Sequence, residues 1–129
     1  MTNFKICVHI PFFVDENYKN KNKFLNKVCK NYLKLSSRVK IFIHTNKIIK
    51  NNTRRIKFIL HDFKNDHPYK LTWKCRELMF LQRNYYEIFI FGEDDIIFSI
   101  DNFKYWLKYK DICIKKKYNL GFLRVEIKQ

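Results

Sequence analysis

Glycine and proline are scarce in this sequence of 129 residues, which contains only two of each. So few turn-forming residues argue against a loop-rich or low-complexity chain. Hydrophobic residues make up 47% of the chain and aromatic residues 18%, which argues against disorder because it is enough apolar surface for a core. The length fits a single domain, residues 1–129, and is too short for two ordinary ones.

Closely spaced cysteines are also missing. The four cysteines, at positions 7, 29, 75 and 113, form no C-x-x-C pair, so a zinc ribbon or a thiol redox motif is not supported. Free, buried thiols in a reducing compartment are the simpler interpretation, because unpaired cysteine is among the most buried residue types. The sequence lacks a signal-like apolar start and any run approaching about 20 apolar residues. We therefore expect a soluble, cytoplasmic protein without a membrane span.

Acidic residues are outnumbered: 12 aspartates and glutamates stand against 27 lysines and arginines, for a net charge of +15. A positive field attracts phosphates of any kind, in nucleic acids, nucleotides or lipid surfaces. Lysine greatly outnumbers arginine, however, and proteins that read base sequence usually rely on arginine. Lysine also shares AT-rich codons with the abundant asparagine, isoleucine, phenylalanine and tyrosine. The charge is therefore weak evidence for a partner, and we do not expect nucleic acid to be the main one.

Apolar residues alternate along short segments that predict strands, and they recur at helical spacing in the segments between. The predicted strands cover residues 4–10, 39–43, 56–60, 86–91 and 121–127, with Pro11 ending the first. The predicted helices cover residues 15–35 and 68–81 and a segment that Asp101 would cap. Segment 86–91 is apolar on both faces, which is typical of a central strand. The alternation predicts an α/β domain with a largely parallel central sheet and flanking helices.

Three adjacent acids, Glu93, Asp94 and Asp95, follow this strand after a single glycine, Gly92. Open α/β sheets bind ligands at the carboxyl ends of their strands, and clustered carboxylates are best tolerated beside a hard cation. An extended chain would turn Glu93 and Asp95 to one side. A turn after Gly92, which we favour because glycine suits one, would pair Asp94 with Asp95 instead. An exposed acidic turn before a helix is the alternative, and the local sequence alone favours it.

Four segments of the C-terminal half carry a resemblance to a known family. They read H-P-Y-K-L-T-W-K-C-R at 67–76, I-F-I-F-G-E-D-D-I-I-F at 88–98, N-F-K-Y-W-L-K-Y at 102–109 and G-F-L-R-V-E at 121–126. In this order they resemble glycosyltransferase-like proteins with the GT-A fold. That group has an H-P-x-x-L-T-x-x-x-R helix, a strand ending in E-D-D, an N-F-x-Y-W helix and an L-R-V-E strand. The matching span is about half of the chain, and the first half agrees only in the order of its elements.

The resemblance implies the nucleotide-sugar-binding half of a metal-dependent glycosyltransferase, with the Rossmann-like architecture of the GT-A fold. It makes E-D-D a variant of the D-x-D motif, with Asp94 and Asp95 as metal ligands and Mn²⁺ or Mg²⁺ as the cofactor. Asp95 is also the catalytic candidate, and Glu93 is a donor-binding candidate. The spacing differs from a strict D-x-D, which leaves the second metal ligand open.

Other segments would contact the donor. The end of the first strand lies where the GT-A fold receives the nucleotide base, so the resemblance implies that Phe12 or Phe13 stacks on it. Aromatic residues beside proline are otherwise more often core residues. Arg76, on the helix before the metal strand, would approach the diphosphate, with an ordinary exposed arginine as the equal alternative.

Glycosyl transfer also needs an acceptor site. GT-A enzymes continue into an acceptor-binding half, whereas this sequence ends at Gln129. We therefore expect donor binding, with transfer depending on a second chain, a homodimer or a longer gene, and an inactive remnant as the alternative. The runner-up from another class is a basic nucleic-acid-binding protein, suggested by interleaved lysines and tyrosines at residues 104–110. A metal nuclease or phosphatase using Asp62 and Asp66 is a minor alternative.

Overall fold

The computed structural model describes residues 2–64 and 66–126. In chain order its elements are β1 (Ile6–Phe12), α1 (Tyr18–Leu33), β2 (Val39–Thr45), β3 (Ile56–Leu60), α2 (Lys70–Leu81), β4 (Ile88–Phe91) and α3 (Ile100–Lys115). All strand pairs are parallel and the sheet order is β3-β2-β1-β4, the order of doubly wound, Rossmann-like sheets. The predicted α/β class with a parallel sheet and flanking helices is confirmed.

The helices cover both faces of the sheet, because the chain first moves outwards from β1 to β3 and then crosses back to β4. On one face, the even-numbered residues of β1 pack with α1 and with Phe103 of α3 in the main core. On the other face, Cys7 and His9 of β1 are buried beneath α2, which buries Leu71 and Cys75. Among the residues described, no helix is long and apolar enough to cross a membrane.

The prediction that Pro11 ends the first strand is wrong, because β1 continues through it to Phe12. The backbone oxygen of His9 accepts a hydrogen bond from the Gly92 N–H at 2.9 Å, on the side of β4. Strand alternation turns Pro11 towards the same side, where β4 has already ended. The missing N–H of proline therefore removes no hydrogen bond between strands.

The prediction of a central position for β4 is also wrong. It is an edge strand that pairs only with β1, and its four residues are half-buried or exposed. Ile88 and Ile90 pack against the main core, which accounts for one apolar face. All four residues of the strand also line a cavity of about 240 Å³ together with Phe98, Trp106 and Phe122. An apolar run thus does not reveal how many strands lie alongside it.

The predicted last strand is absent from residues 121–126, and Ile127 lies outside the described residues. Leu123 and Val125, which would have formed one apolar face, are 95% and 81% exposed. Phe122 packs edge-on against Phe98, with ring centroids 5.3 Å apart. Alternation specifies a strand only where another layer covers its apolar face, and here nothing in the described chain does so.

The helix that Asp101 was expected to cap begins instead with a capping box. The hydroxyl of Ser99 accepts a hydrogen bond from the Asn102 N–H at 3.2 Å, and the Asn102 side-chain oxygen accepts one from the Ser99 N–H at 2.9 Å. Asp101 lies in the first turn of α3, where a negative charge favours the helix dipole.

Candidate functional site

Glu93, Asp94 and Asp95, called the acidic turn from here on, follow β4 at the carboxyl edge of the sheet. The chain turns at Asp94 and Asp95 rather than staying extended. Glu93 and Asp95 are exposed, and Asp94 is half-buried. Asp94 is therefore the one acid of the turn whose side chain is partly shielded from water.

Gly92 sets the position of the acidic turn by close packing. It is buried, and a Cβ at this position would collide with the hydroxyl of Tyr32 on α1. No glycine in the described chain has a positive φ, so the residue is not required here for a left-handed turn. The lack of a side chain instead lets the Gly92 backbone lie against the ring of Tyr32 on α1, directly before the acidic turn.

The charge on Asp94 is poorly compensated. Burial raises the pKa of Asp94 above its ordinary value, and repulsion from Asp95 and Glu93 raises it further, while a hydrogen bond from its own backbone N–H and the charge of Lys21 act in the opposite direction. Lys21 lies in α1 and is already paired with Asp15, with 2.6 Å between Nζ and Oδ2. A cation that bound here would relieve a repulsion that the protein does not neutralise itself.

The acidic turn fits one kind of metal site and not another. Within residues 2–64 and 66–126, no three His, Cys, Asp or Glu side chains are placed to hold a metal ion together. Mg²⁺ is usually held by one or two carboxylates, with water and substrate phosphates completing its shell. Asp94 and Asp95 fit such a shared site, and they do not fit a cage built from protein ligands alone.

Three surface cavities have volumes of about 630, 340 and 240 Å³, and the third is lined by Phe91 and Phe98, which flank the acidic turn in the chain. The first two are at the amino edge of the sheet and the third is beside β4. None of them is lined by an acid of the turn. A ligand at the acidic turn would therefore bind on an open surface rather than in one of these cavities.

The remaining predicted donor contacts lie in different surroundings. Phe12 is 0% exposed within the main core, so the packing alternative describes it. Phe13 is half-buried and its ring centroid is 5.7 Å from that of Phe63. The guanidinium of Arg76 is exposed and lies 4.1 Å over the ring of Trp73 on the same helix. In the described chain neither Arg76 nor the acidic turn takes part in an ion pair.

A chain of three histidines that no local sequence pattern predicted crosses the sheet on the face covered by α2, and its members His9 and His44 are buried while His61 is half-buried. The Nδ1 of His9 is 2.8 Å from the Nε2 of His44, whose Nδ1 is 2.8 Å from the Nε2 of His61. At its other end, the Nε2 of His9 is 2.8 Å from Oε1 of Gln82. Because that oxygen only accepts, His9 donates through Nε2, and each of the other two then donates through Nε2 as well.

Burial lowers the pKa of each histidine in this chain. It lowers the pKa of His44 to about 3, and repulsion from the protonated forms of His9 and His61 acts in the same direction. Burial also lowers the pKa of His9, partly offset by the hydrogen bond to Gln82. For His61, burial and the charge of Lys74 both lower the pKa. These hydrogen bonds connect β1 and β2 with His61, the residue that directly follows β3.

Cys7 lies beside this chain without gaining reactivity from it. Its Sγ is 3.1 Å from the Nε2 of His9 and 3.2 Å from Oε1 of Gln82. Burial raises the pKa of the thiol to about 12, and the side chain is fully buried. Since the thiolate is the nucleophilic form, the Cys–His pair is structural rather than catalytic.

Comparison of the chain with protein-family models, with curated proteins and with solved structures gives no match. A function must therefore be inferred from the motifs of the chain and the geometry of the acidic turn.

Proposed function

We propose that the chain is a nucleotide-sugar-binding domain of the GT-A glycosyltransferase kind, in which the acidic turn holds the donor together with Mn²⁺ or Mg²⁺. The observation that carries the proposal is Asp94, a half-buried carboxylate at the carboxyl edge of a doubly wound sheet. Its pKa is raised by burial and by Asp95, so its charged form is costly without a cation. This edge is where sheets of this type bind their ligands.

We assign a proposed role to each acid of the turn. Asp94 and Asp95 share the cation, which would act as a Lewis acid towards the diphosphate. Glu93, exposed at the start of the turn, hydrogen-bonds the donor in this proposal. Phe13 takes the place proposed for base stacking, because Phe12 is inside the core.

The N-terminus of α1 lies at the same edge and has acids beside it. Asp15 and Glu16 directly precede the helix, and the carboxylate of Asp15 accepts a hydrogen bond from the Asn17 N–H at 2.9 Å. The positive end of the helix dipole is therefore already partly compensated, so diphosphate binding depends on the cation of the acidic turn. Transfer of the sugar additionally needs an acceptor held in line, which we propose that a second chain or a further domain supplies.

Thermal unfolding with and without ligands tests the proposal. The protein is heated with UDP- or GDP-sugars, with Mn²⁺, and with both together. Binding to the folded state raises the melting temperature by mass action, so we expect a rise that requires metal and sugar nucleotide together. The variant Asp94→Asn with Asp95→Asn should lose this rise.

The matched control is Asp62→Asn with Asp66→Asn, which also removes two negative charges and should keep the rise. If the control loses the rise and the variant of the acidic turn keeps it, the binding site lies after β3, as a metal nuclease or phosphatase would require. A rise with metal alone, unchanged by sugar nucleotide, also contradicts the proposal.

A further inference from the structure

The cavity of about 630 Å³, called the amino-edge cavity here, lies at the edge of the sheet opposite the acidic turn. Segments that begin or precede all four strands line it. Its charged residues are Lys5, Arg38, Lys40, Arg54 and Arg55, and no acidic residue of the described chain lines it. Five positive charges thus surround one concave surface.

None of these five side chains is in an ion pair with another described residue. Arg55 has a structural role, because its Nη2 donates to two backbone oxygens at and just beyond the end of α1, at 3.1 and 2.7 Å. Arg38, Lys40 and Arg54 are exposed, and of these three side chains only that of Arg38 has a hydrogen bond within the described chain, from Nη1 to the backbone oxygen of Asn3 at 3.4 Å. Five like charges around one concave surface repel one another, and a bound polyanion removes that repulsion.

Two tyrosines complete the amino-edge cavity. Tyr85 is 66% exposed at its rim, and Tyr86 is half-buried with Nζ of Lys5 located 5.5 Å from its ring centroid. A second cavity of about 340 Å³ is lined by Lys5, Arg38 and both tyrosines as well, so the two cavities adjoin. Together they offer room for more than one phosphate group. Glu87 lines this second cavity, and its carboxylate accepts a hydrogen bond from the backbone N–H of Lys5 at 2.7 Å.

We propose that the amino-edge cavity binds single-stranded nucleic acid. Successive phosphates contact Arg38, Lys40 and Arg54, and an unpaired base stacks on the exposed ring of Tyr85. Stacking on an aromatic ring beside a basic groove is the recognition used for single strands, and it tolerates any base. This site goes beyond donor binding at the acidic turn, lies at the opposite edge of the sheet and needs no metal ion.

Fluorescence anisotropy with a labelled oligothymidylate of about ten nucleotides, in EDTA and at several salt concentrations, tests the site. The test variant replaces Arg38, Lys40 and Arg54 with alanine. Each lost phosphate contact lowers the slope of log affinity against log salt by about 0.7, so we expect a slope smaller by about 2 and at least a tenfold loss of affinity. Tyr85→Ala should weaken binding by roughly 5- to 100-fold, and Tyr85→Phe should not.

The matched control replaces Lys104, Lys108 and Lys115 of α3 with alanine and removes the same three charges. We expect its affinity to stay within about twofold of the original protein, since it leaves the cavity intact. Equal losses in both triple variants would mean diffuse attraction to a basic protein and would overturn the proposal. Competition by a free mononucleotide as effective as that by the oligonucleotide would also overturn it. Thermal unfolding of every variant in the same buffer confirms that each is folded.

Discussion

At the scale of single residues, Gly92 links the packing of the sheet to the position of the acidic turn. We expect Gly92→Ala to lower the free energy of unfolding by about 1–3 kcal/mol, because the added methyl group overpacks the contact with Tyr32. Tyr32 is 3% exposed and its ring lies against Phe98, with centroids 6.3 Å apart, so it has little room to move aside. Urea unfolding measures the change.

Removing the hydroxyl of Tyr32 provides the control for this prediction. Tyr32→Phe, added to Gly92→Ala, should recover part of the lost stability, and only part, because Cζ of the ring would still be 3.1 Å from the new Cβ. Contacting residues are expected to show such coupling. If the two substitutions were simply additive, the proposed collision would not be the cause.

The histidine chain predicts how stability depends on pH. Histidine in an unfolded chain has a pKa near 6.5, whereas burial lowers that of His44 to about 3. Between these values the unfolded state binds more protons than the folded state, so stability falls as the pH is lowered. The loss approaches about 1.4 kcal/mol per pH unit for each histidine that stays neutral in the fold. Urea unfolding at pH 7, 6 and 5 measures it, and constant or increasing stability over this range would contradict the account.

The acidic turn could be recognised in the sequence because its three residues are adjacent. The histidine chain could not, because His9 and His44 are 35 residues apart and His44 and His61 are 17 residues apart. Alternation along β1 and β2 puts His9 and His44 on one face, but their contact also depends on register, which places His9 opposite Phe42. Register is set by the pairing of distant segments, so no local pattern contains it.

At the scale of elements, substitutions at the start of α3 distinguish capping by Ser99 from capping by Asp101. Ser99→Ala removes the side-chain acceptor of the capping box and should cost about 1 kcal/mol of stability. Asp101→Asn removes only a charge near the helix dipole and should cost about 0.3–1 kcal/mol. Chemical denaturation of both variants in low salt measures the difference. A larger loss for Asp101→Asn would favour the capping role that the sequence had suggested.

The sequence predicted best those helices and strands in which the spacing of apolar residues marks a single side packed against the core. β2, β3 and the three helices lie close to their predicted positions because each packs one apolar side. The predictions that failed concern neighbouring strands. Pro11 lies inside β1 instead of ending it, β4 is an edge strand instead of a central one, and residues 121–126 form no strand. In each case the outcome depends on which strands lie alongside, a tertiary property that the local pattern does not contain.

At the scale of the whole molecule, the net charge of +15 has a distribution that composition cannot reveal. The proposed donor site and the amino-edge cavity occupy opposite edges of one sheet, with carboxylates at one and five cations at the other. Parallel pairing produces this separation, because it gathers the beginnings of all strands at one edge and their ends at the other.

The most direct measurement is the paramagnetic broadening of backbone amide NMR signals by Mn²⁺ in the presence of UDP. If Asp94 and Asp95 hold the ion with a diphosphate, the signals of Gly92 to Asp95 and of the first turn of α1 should broaden first. Those of Arg38, Lys40 and Arg54 at the opposite edge should keep their width. Broadening centred elsewhere, or the same pattern in the Asp94→Asn, Asp95→Asn variant, would contradict the account.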